Sequence, residues 1–342
     1  MGIGSGGMSR RSFGRVLVGA AGAAGLSGFS PWAPALAATF EPALIYDYGG
    51  KFDRSFNQAA FDGAERFRQE TGLAYREFEI TNESQREQSM LQLAKRGAAL
   101  IVGVGFGHQA AMTKVATQYP KVRFTIIDAV VDLPNVQSIV FREQECCFLV
   151  GMIAALTSKT GKVGFVGGMD VPLIRRFAAG YAEGAKFAKP DIEVLQTMTG
   201  TTVSAWNDPA RGSELARSQF DRGADVVFAA AGATGLGVLQ AAADAKKFSI
   251  GCDSNQNALH PGSVLTSMVK RVDVATYNAM MAAKDDKWQA GTLSLGLKEN
   301  GLDYALDDNN RALISPETKA RVEQAKAEII AGKLVPTDVA AQ

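Results

Sequence analysis

Residues 43–63 read ALIYDYGGKFDRSFNQAAFDG, and this stretch decides the fold class. Ala43 to Tyr46 form an apolar run of strand length, closed by Asp47 and broken at Gly49-Gly50. From Phe56 the residues Phe56, Ala60, Gly63, Ala64 and Phe67 recur at helical spacing. Strand, glycine turn, polar loop and helix make the first half of a βαβ unit. In open α/β sheets ligands sit beyond the carboxyl ends of the strands, where such loops gather. This loop carries Asp47, Asp53, Arg54, Ser55, Phe56 and Asn57, which offer acceptors, donors and one aromatic face. It reads as half of a small-molecule site.

Working outward, the alternation continues. Strands are expected over 75–80, 99–104, 123–127 and 136–141, with helices over 56–70, 84–95, 109–118 and 143–157. The pattern then restarts. Strands over 162–166, 193–199, 225–230 and 248–252 alternate with helices over 174–187, 210–221 and 235–246. The two halves correspond: ALIYD with KVGFVGG, ALIVGVG with DVVFAAAG, RFTIID with FSIGCD. The expected fold is α/β, with two Rossmann-like lobes built on parallel sheets. A strand over 264–268, a helix over 275–288, short strands within 292–305 and a helix over 315–333 complete the chain. The expected division places residues 38–142 with 254–288 in lobe 1, and 143–253 with 289–342 in lobe 2. Lobes joined without a flexible linker imply a hinge that the chain crosses more than once.

The first 37 residues read as an export signal rather than as part of the fold. Ser9-Arg10-Arg11-Ser12-Phe13 precedes a weakly apolar stretch, and Ala35-Leu36-Ala37 is a small-x-small cleavage site. The paired arginines give it a twin-arginine character. The apolar stretch, about 14 residues from Val16 to Phe29, is shorter than the roughly 20 needed to span a bilayer. The mature protein is therefore expected outside the cytoplasm, in the periplasm. A formal net charge of +1 gives no sign of a nucleic-acid partner. An odd cysteine count, three, argues against a disulfide framework, and Cys146-Cys147 lies in a segment that reads as a buried helix.

Three acids end matched strands: Asp47, Asp128 and Asp253. A carboxylate accepts hydrogen bonds from paired hydroxyls, as a ribose or sugar presents them. Helix capping is the plain alternative for each acid alone. Phe56, Phe106, Phe177 and Trp206 fall at helix starts or in loops on the same edge, where flat side chains can enclose a planar ring. Gly232, in the GATG turn at 232–235, matches the GVGFG turn at 103–107 and lets backbone approach a ligand. Lys270 ends the strand at 264–268 on that edge, and His108 follows the glycine turn as an expected solvated residue. No P-loop, metal-ligand cluster, cofactor motif or nucleophile elbow occurs. From the residues alone, a binding protein, an exported α/β enzyme acting on nucleosides or sugars, and an effector-sensing domain stand as alternatives.

The ordered motifs resemble one family. DYGG and DRSFNQ at 47–58, GFG at 105–107, 124–128, 145–151, RFAAG at 176–180, WNDP at 206–209, GCD at 251–253 and SMVKR at 267–271 are similar to the basic membrane protein (BMP) family of ABC-transporter substrate-binding proteins, which includes the bacterial purine-nucleoside receptors. The resemblance covers residues 42–290. It implies a type I periplasmic-binding-protein fold, a monomer with no catalytic role, and a nucleoside or related heterocycle between the lobes. ABC permease and ATPase subunits are the implied partners. Asp47 and the loop at Ser55-Phe56 would then meet the base, Phe56 stacking, with Asn57 in the same ligand-binding set and Asp128 bonding from the first lobe. Phe177 and Trp206 would close from the second lobe, and Asp253 and Lys270 would hold the ribose end. Trp206 stands where the family often has Phe, Ser55 where nucleoside receptors can have Asn, and a twin-arginine signal replaces a lipoprotein cysteine.

Overall fold

The computed structural model describes residues 1–2 and 40–339; the expected twin-arginine motif and cleavage site lie outside the described residues. The first half runs β1 (Ala43–Tyr46), α1 (Phe56–Thr71), β2 (Arg76–Glu79), α2 (Ser84–Lys95), β3 (Ile101–Val104), α3 (Gln109–Gln118), β4 (Phe124–Ile127) and β5 (Val136–Phe141). Then follow α4 (Glu143–Thr157), β6 (Lys162–Met169), α5 (Pro172–Ala188), β7 (Glu193–Gly200), α6 (Pro209–Asp221), β8 (Val226–Ala230), α7 (Thr234–Asp244) and β9 (Phe248–Asp253). The chain ends with β10 (Val264–Lys270), α8 (Val272–Lys284), β11 (Gly291–Leu295), β12 (Leu302–Tyr304) and α9 (Pro316–Ile330).

Two six-stranded sheets result, ordered β11-β5-β4-β3-β1-β2 and β12-β10-β9-β8-β6-β7. Pairing is parallel except between β10 and β12. Strands β1, β3, β4 and β8 are buried along their whole length, because helices cover both faces of a parallel sheet. That double burial is why they read as unbroken apolar runs. The edge strand β2, REFE, is half-exposed in alternation. This is the two-lobed architecture expected from the repeat, and each sheet reverses direction of growth next to β1 or β6. Ligands of such sheets bind beyond the strand ends at that switch point.

The lobe division needs correction. Strand β10, expected in lobe 1, pairs with β9 and belongs to the second sheet. Strand β11, expected in lobe 2, pairs with β5 over Gly291–Leu295 and belongs to the first. Backbone pairing decides this, and both strands have neighbours far away in the sequence. The chain therefore crosses between lobes at Arg142, at Arg271 and between β11 and β12. The crossings are tied together: Arg142 N–H donates to Leu295 O (2.9 Å) and Arg271 N–H to Gly301 O (2.8 Å).

Helix α4 is buried almost all round, which explains its run CCFLVGMIAAL. It packs so closely on α5 that a Cβ on Gly184 would lie 1.9 Å from Phe148 O. Cys146, Cys147 and Cys252 are free and buried, and burial pushes all three thiols up.

Candidate functional site

The site forms where the ends of β1, β3 and β4 face the ends of β6, β8, β9 and β10. Asp47, Phe56, Phe106 and Asp128 line a cavity from the first lobe, and Phe177, Trp206, Gly232, Asp253 and Lys270 line it from the second. The cavity between these walls has a volume of about 60 Å³. Leu173 and Ile174, from the first turn of α5, add an apolar wall.

At one end two aromatic rings meet across the gap. Phe106 and Trp206 stand edge to face, centroids 6.4 Å apart and planes at 65°. Trp206 lies against the backbone at the end of β6, where a Cβ on Gly168 would fall 2.3 Å from its ring. Only a glycine there leaves room for indole. Asp47 flanks this end. Its Oδ1 accepts from the Tyr48 N–H (2.7 Å) and from Arg86 Nη2 (2.7 Å). Gly105 (φ 105°) brings the β3 loop so near that its missing Cβ would sit 2.3 Å from Asp47 Oδ2.

At the other end lies a charged cluster. Asp128 and Asp253 end β4 and β9, equivalent strands of the two lobes, and both adopt left-handed backbone, φ 70° and 63°. Lys270 Nζ donates to Asp128 Oδ2 (2.6 Å) and to Glu143 Oε1 (3.1 Å), with side-chain exposures of 1%, 5% and 0%. The ammonium also sits 5.1 Å from the Phe56 ring centroid and 5.5 Å from that of Phe177. Arg176 pairs with the far side of Glu143 (3.0 Å) and with Asp338 (2.8 Å). Burial opposes the charge of Lys270, but Asp128, Glu143 and Asp253 outweigh it and hold the ammonium protonated beyond the usual lysine range. Burial, with Glu143 and Asp253 nearby, pushes Asp128 up to about 7 against the pull of Lys270. Asp128 Oδ1 is buried with no partner.

Two residues of the opening loop turn away from the cavity. Asn57 was expected at the site but is a staple: its Oδ1 accepts from Asp47 N–H (3.0 Å), and its Nδ2 donates to the carbonyls of Asp47, Tyr48 and Gly50. Ser55 is buried and donates across the lobes to Asp253 Oδ2 (2.9 Å) and Cys252 O (3.1 Å). Both positions are taken by the protein's own backbone and acids. Asp53, named with the opening loop but given no ligand contact there, lines the cavity and caps α1, accepting from the N–H groups of Ser55, Asn57 and Gln58. Burial raises it to about 6 despite those donors. The capping pattern Asp53-Arg54-Ser55-Phe56 was the signal for it. His108 is fully buried rather than solvated, and burial drives it down to about 3, so it is neutral. Among the described residues no His, Cys, Asp and Glu cluster could hold a metal ion.

Fold and cavity together define a two-lobed solute-binding protein. The model of the family "ABC transporter substrate-binding protein PnrA-like" (Bmp) matches residues 41–337. The chain is 34% identical over 316 residues to the "ABC transporter nucleoside-binding protein BmpA" of Lactococcus lactis, covering 85% of this chain and 87% of that one. It is 33% identical to the "CD4+ T-cell-stimulating antigen" of Listeria monocytogenes, covering 86% and 87%. Among solved structures, an ABC transporter solute-binding protein from Aeropyrum pernix superposes with TM-score 0.80 at 32% identity, covering 87% of this chain and 94% of that one. The chain belongs to the Bmp family of ABC-transporter substrate-binding proteins and has the type I periplasmic-binding fold. Such proteins bind a small molecule and serve a permease and its ATPase.

Proposed function

We propose that this protein is exported and holds a nucleoside, a purine nucleoside by preference, between its lobes for delivery to an ABC importer. The observation that carries the reading is the polarity of this cavity. Its Phe106–Trp206 end suits a flat ring, and its Asp128, Asp253 and Lys270 end suits hydroxyls. In this reading Asp47 meets the base edge, Phe56 and Phe177 wall the middle, and Gly232 gives backbone access beside Trp206. Trp206 moves off Gly168 to cover the base, and ribose hydroxyls replace the Lys270–Asp128 contact in part. The name of the Lactococcus relative supports a nucleoside, and residues 9–13 support export. The protein acts as a monomer without catalysis.

Calorimetric titration with inosine, guanosine, adenosine and their free bases tests this. A 1:1 complex with a purine nucleoside, recovered chemically unchanged, is expected. Trp206→Ala should weaken it by about fivefold to a hundredfold, the value of base–aromatic stacking lost to alanine, with the fold intact. No binding by any nucleoside, or release of free base, would overturn the reading.

A further inference from the structure

Arg86 lies outside the cavity, in the first turn of α2, and is 4% exposed. Its Nη2 reaches Asp47 Oδ1 at 2.7 Å, and its Nε reaches Glu83 Oε2 at 2.8 Å. The guanidinium lies against the β3 loop, where a Cβ on Gly107 would fall 2.6 Å from Cζ, and 5.3 Å from the Tyr48 ring centroid. It therefore braces two loops that carry cavity residues, Asp47 on one and Phe106 on the other. Arg86 and the Tyr48 N–H occupy Asp47 Oδ1, while Oδ2, beside Gly105, accepts no hydrogen bond from the described residues, and Asp47 itself lines the cavity.

We propose that Arg86 is a positioning residue that sets base preference: it fixes Asp47 as a charged acceptor with one free oxygen, so the favoured ligand carries a ring N–H or amino donor on the edge facing the first lobe. This rests on the nucleoside reading of the cavity and adds to it. An ionised carboxylate only accepts, while a protonated one also donates. Burial raises the Asp47 carboxyl, and Arg86 is the chief opposing influence. The other groups facing this pair are Glu83 at the N-cap of α2, Tyr48 beside Asp47 and His108 after β3. Asp53 shares the loop but turns its oxygens to the first turn of α1. His108 is neutral, so it cannot replace the charge of Arg86.

The test is calorimetry at pH 5.5 and 8.0 with inosine, which has an N1–H donor, and purine riboside, which has the same sugar and no donor on its base. Wild-type protein should prefer inosine roughly tenfold to a hundredfold at both pH values, the worth of a hydrogen bond to a charged group. In Arg86→Met the preference should shrink below about threefold at pH 5.5, as Asp47 takes a proton, and recover in part at pH 8.0. Arg86→Lys keeps the charge and should keep a preference that does not change with pH. If Arg86→Met weakens both ligands by one factor at both pH values, Arg86 is only structural and the proposal falls. A folded Arg86→Lys without preference overturns it too, even where Arg86→Met does not fold. Wild-type protein that binds both ligands equally overturns the proposal but leaves the nucleoside reading standing; wild-type protein that binds neither overturns both.

Discussion

Lys270→Met removes the cation that bridges Asp128 and Glu143 while keeping most of the side-chain volume, and leaves Glu143 with Arg176 and Asp128 without its ion pair. In the wild type that ammonium touches Asp128 from the first lobe and Glu143 from the second, all but sealed from water. Removing one partner of a buried pair costs about 3–5 kcal/mol, because the remaining charge is left uncompensated. In a chain of this size the Tm should fall by about 5–8 °C. The sign with pH follows from the acids. Asp128 and Asp253 are already raised by burial, and without Lys270 they rise further. A group whose folded pKa lies above its unfolded value contributes stability that is full below the unfolded value, near pH 4, and is lost as pH rises through the folded one. The gap between wild type and variant should therefore be small at pH 5 and largest at pH 8. Urea unfolding at both pH values reads it. Adding Asp128→Asn to the variant should recover part of the loss at pH 8. A gap below about 1 kcal/mol at pH 8, or the same gap at both pH values, would refute the argument and reduce Lys270 to a packing residue.

Asn57→Ala should cost about 1–3 kcal/mol in chemical denaturation, since it strips partners from the backbone of Asp47, Tyr48 and Gly50; an unchanged midpoint would remove its role as a staple. Gly105→Ala pushes a methyl group toward Asp47 Oδ2 from a strained backbone, φ 105°. It should weaken nucleoside binding at least tenfold, about 1.4 kcal/mol, and an unaltered Kd would show that Asp47 is not a ligand contact. Asp253→Asn should reduce affinity for a nucleoside far more than for its free base, and equal losses would exclude a ribose-end role.

Much of this was legible from the chain because parallel strands buried on both faces read as apolar runs. Segments 43–46, 101–104 and 226–230 announce themselves, and the repeat of RFTIID in FSIGCD placed Asp128 and Asp253 at equivalent strand ends. The lobe membership of β10 and β11 was not legible. Strand exchange near a hinge depends on which backbone edge is free, and side-chain pattern carries no trace of it. Within the loop at 47–58 the residue types showed polar capacity but not direction. Asn57 and Ser55 spend that capacity on backbone and on Asp253. Arg86 was hidden for another reason. Beside Glu83 and Ser84 it reads as a solvated helix charge, and only the fold of β1 against α2 brings it to Asp47.

The central claim is that facing walls of the two lobes enclose one nucleoside-sized ligand. Native mass spectrometry of protein purified without denaturation, then offered an equimolar mixture of purine and pyrimidine nucleosides, tests it most directly. A single 1:1 complex with the mass of an intact purine nucleoside, lost in Trp206→Ala, is expected. Protein that stays free of every nucleoside, or that carries one equally well without Trp206, would contradict it.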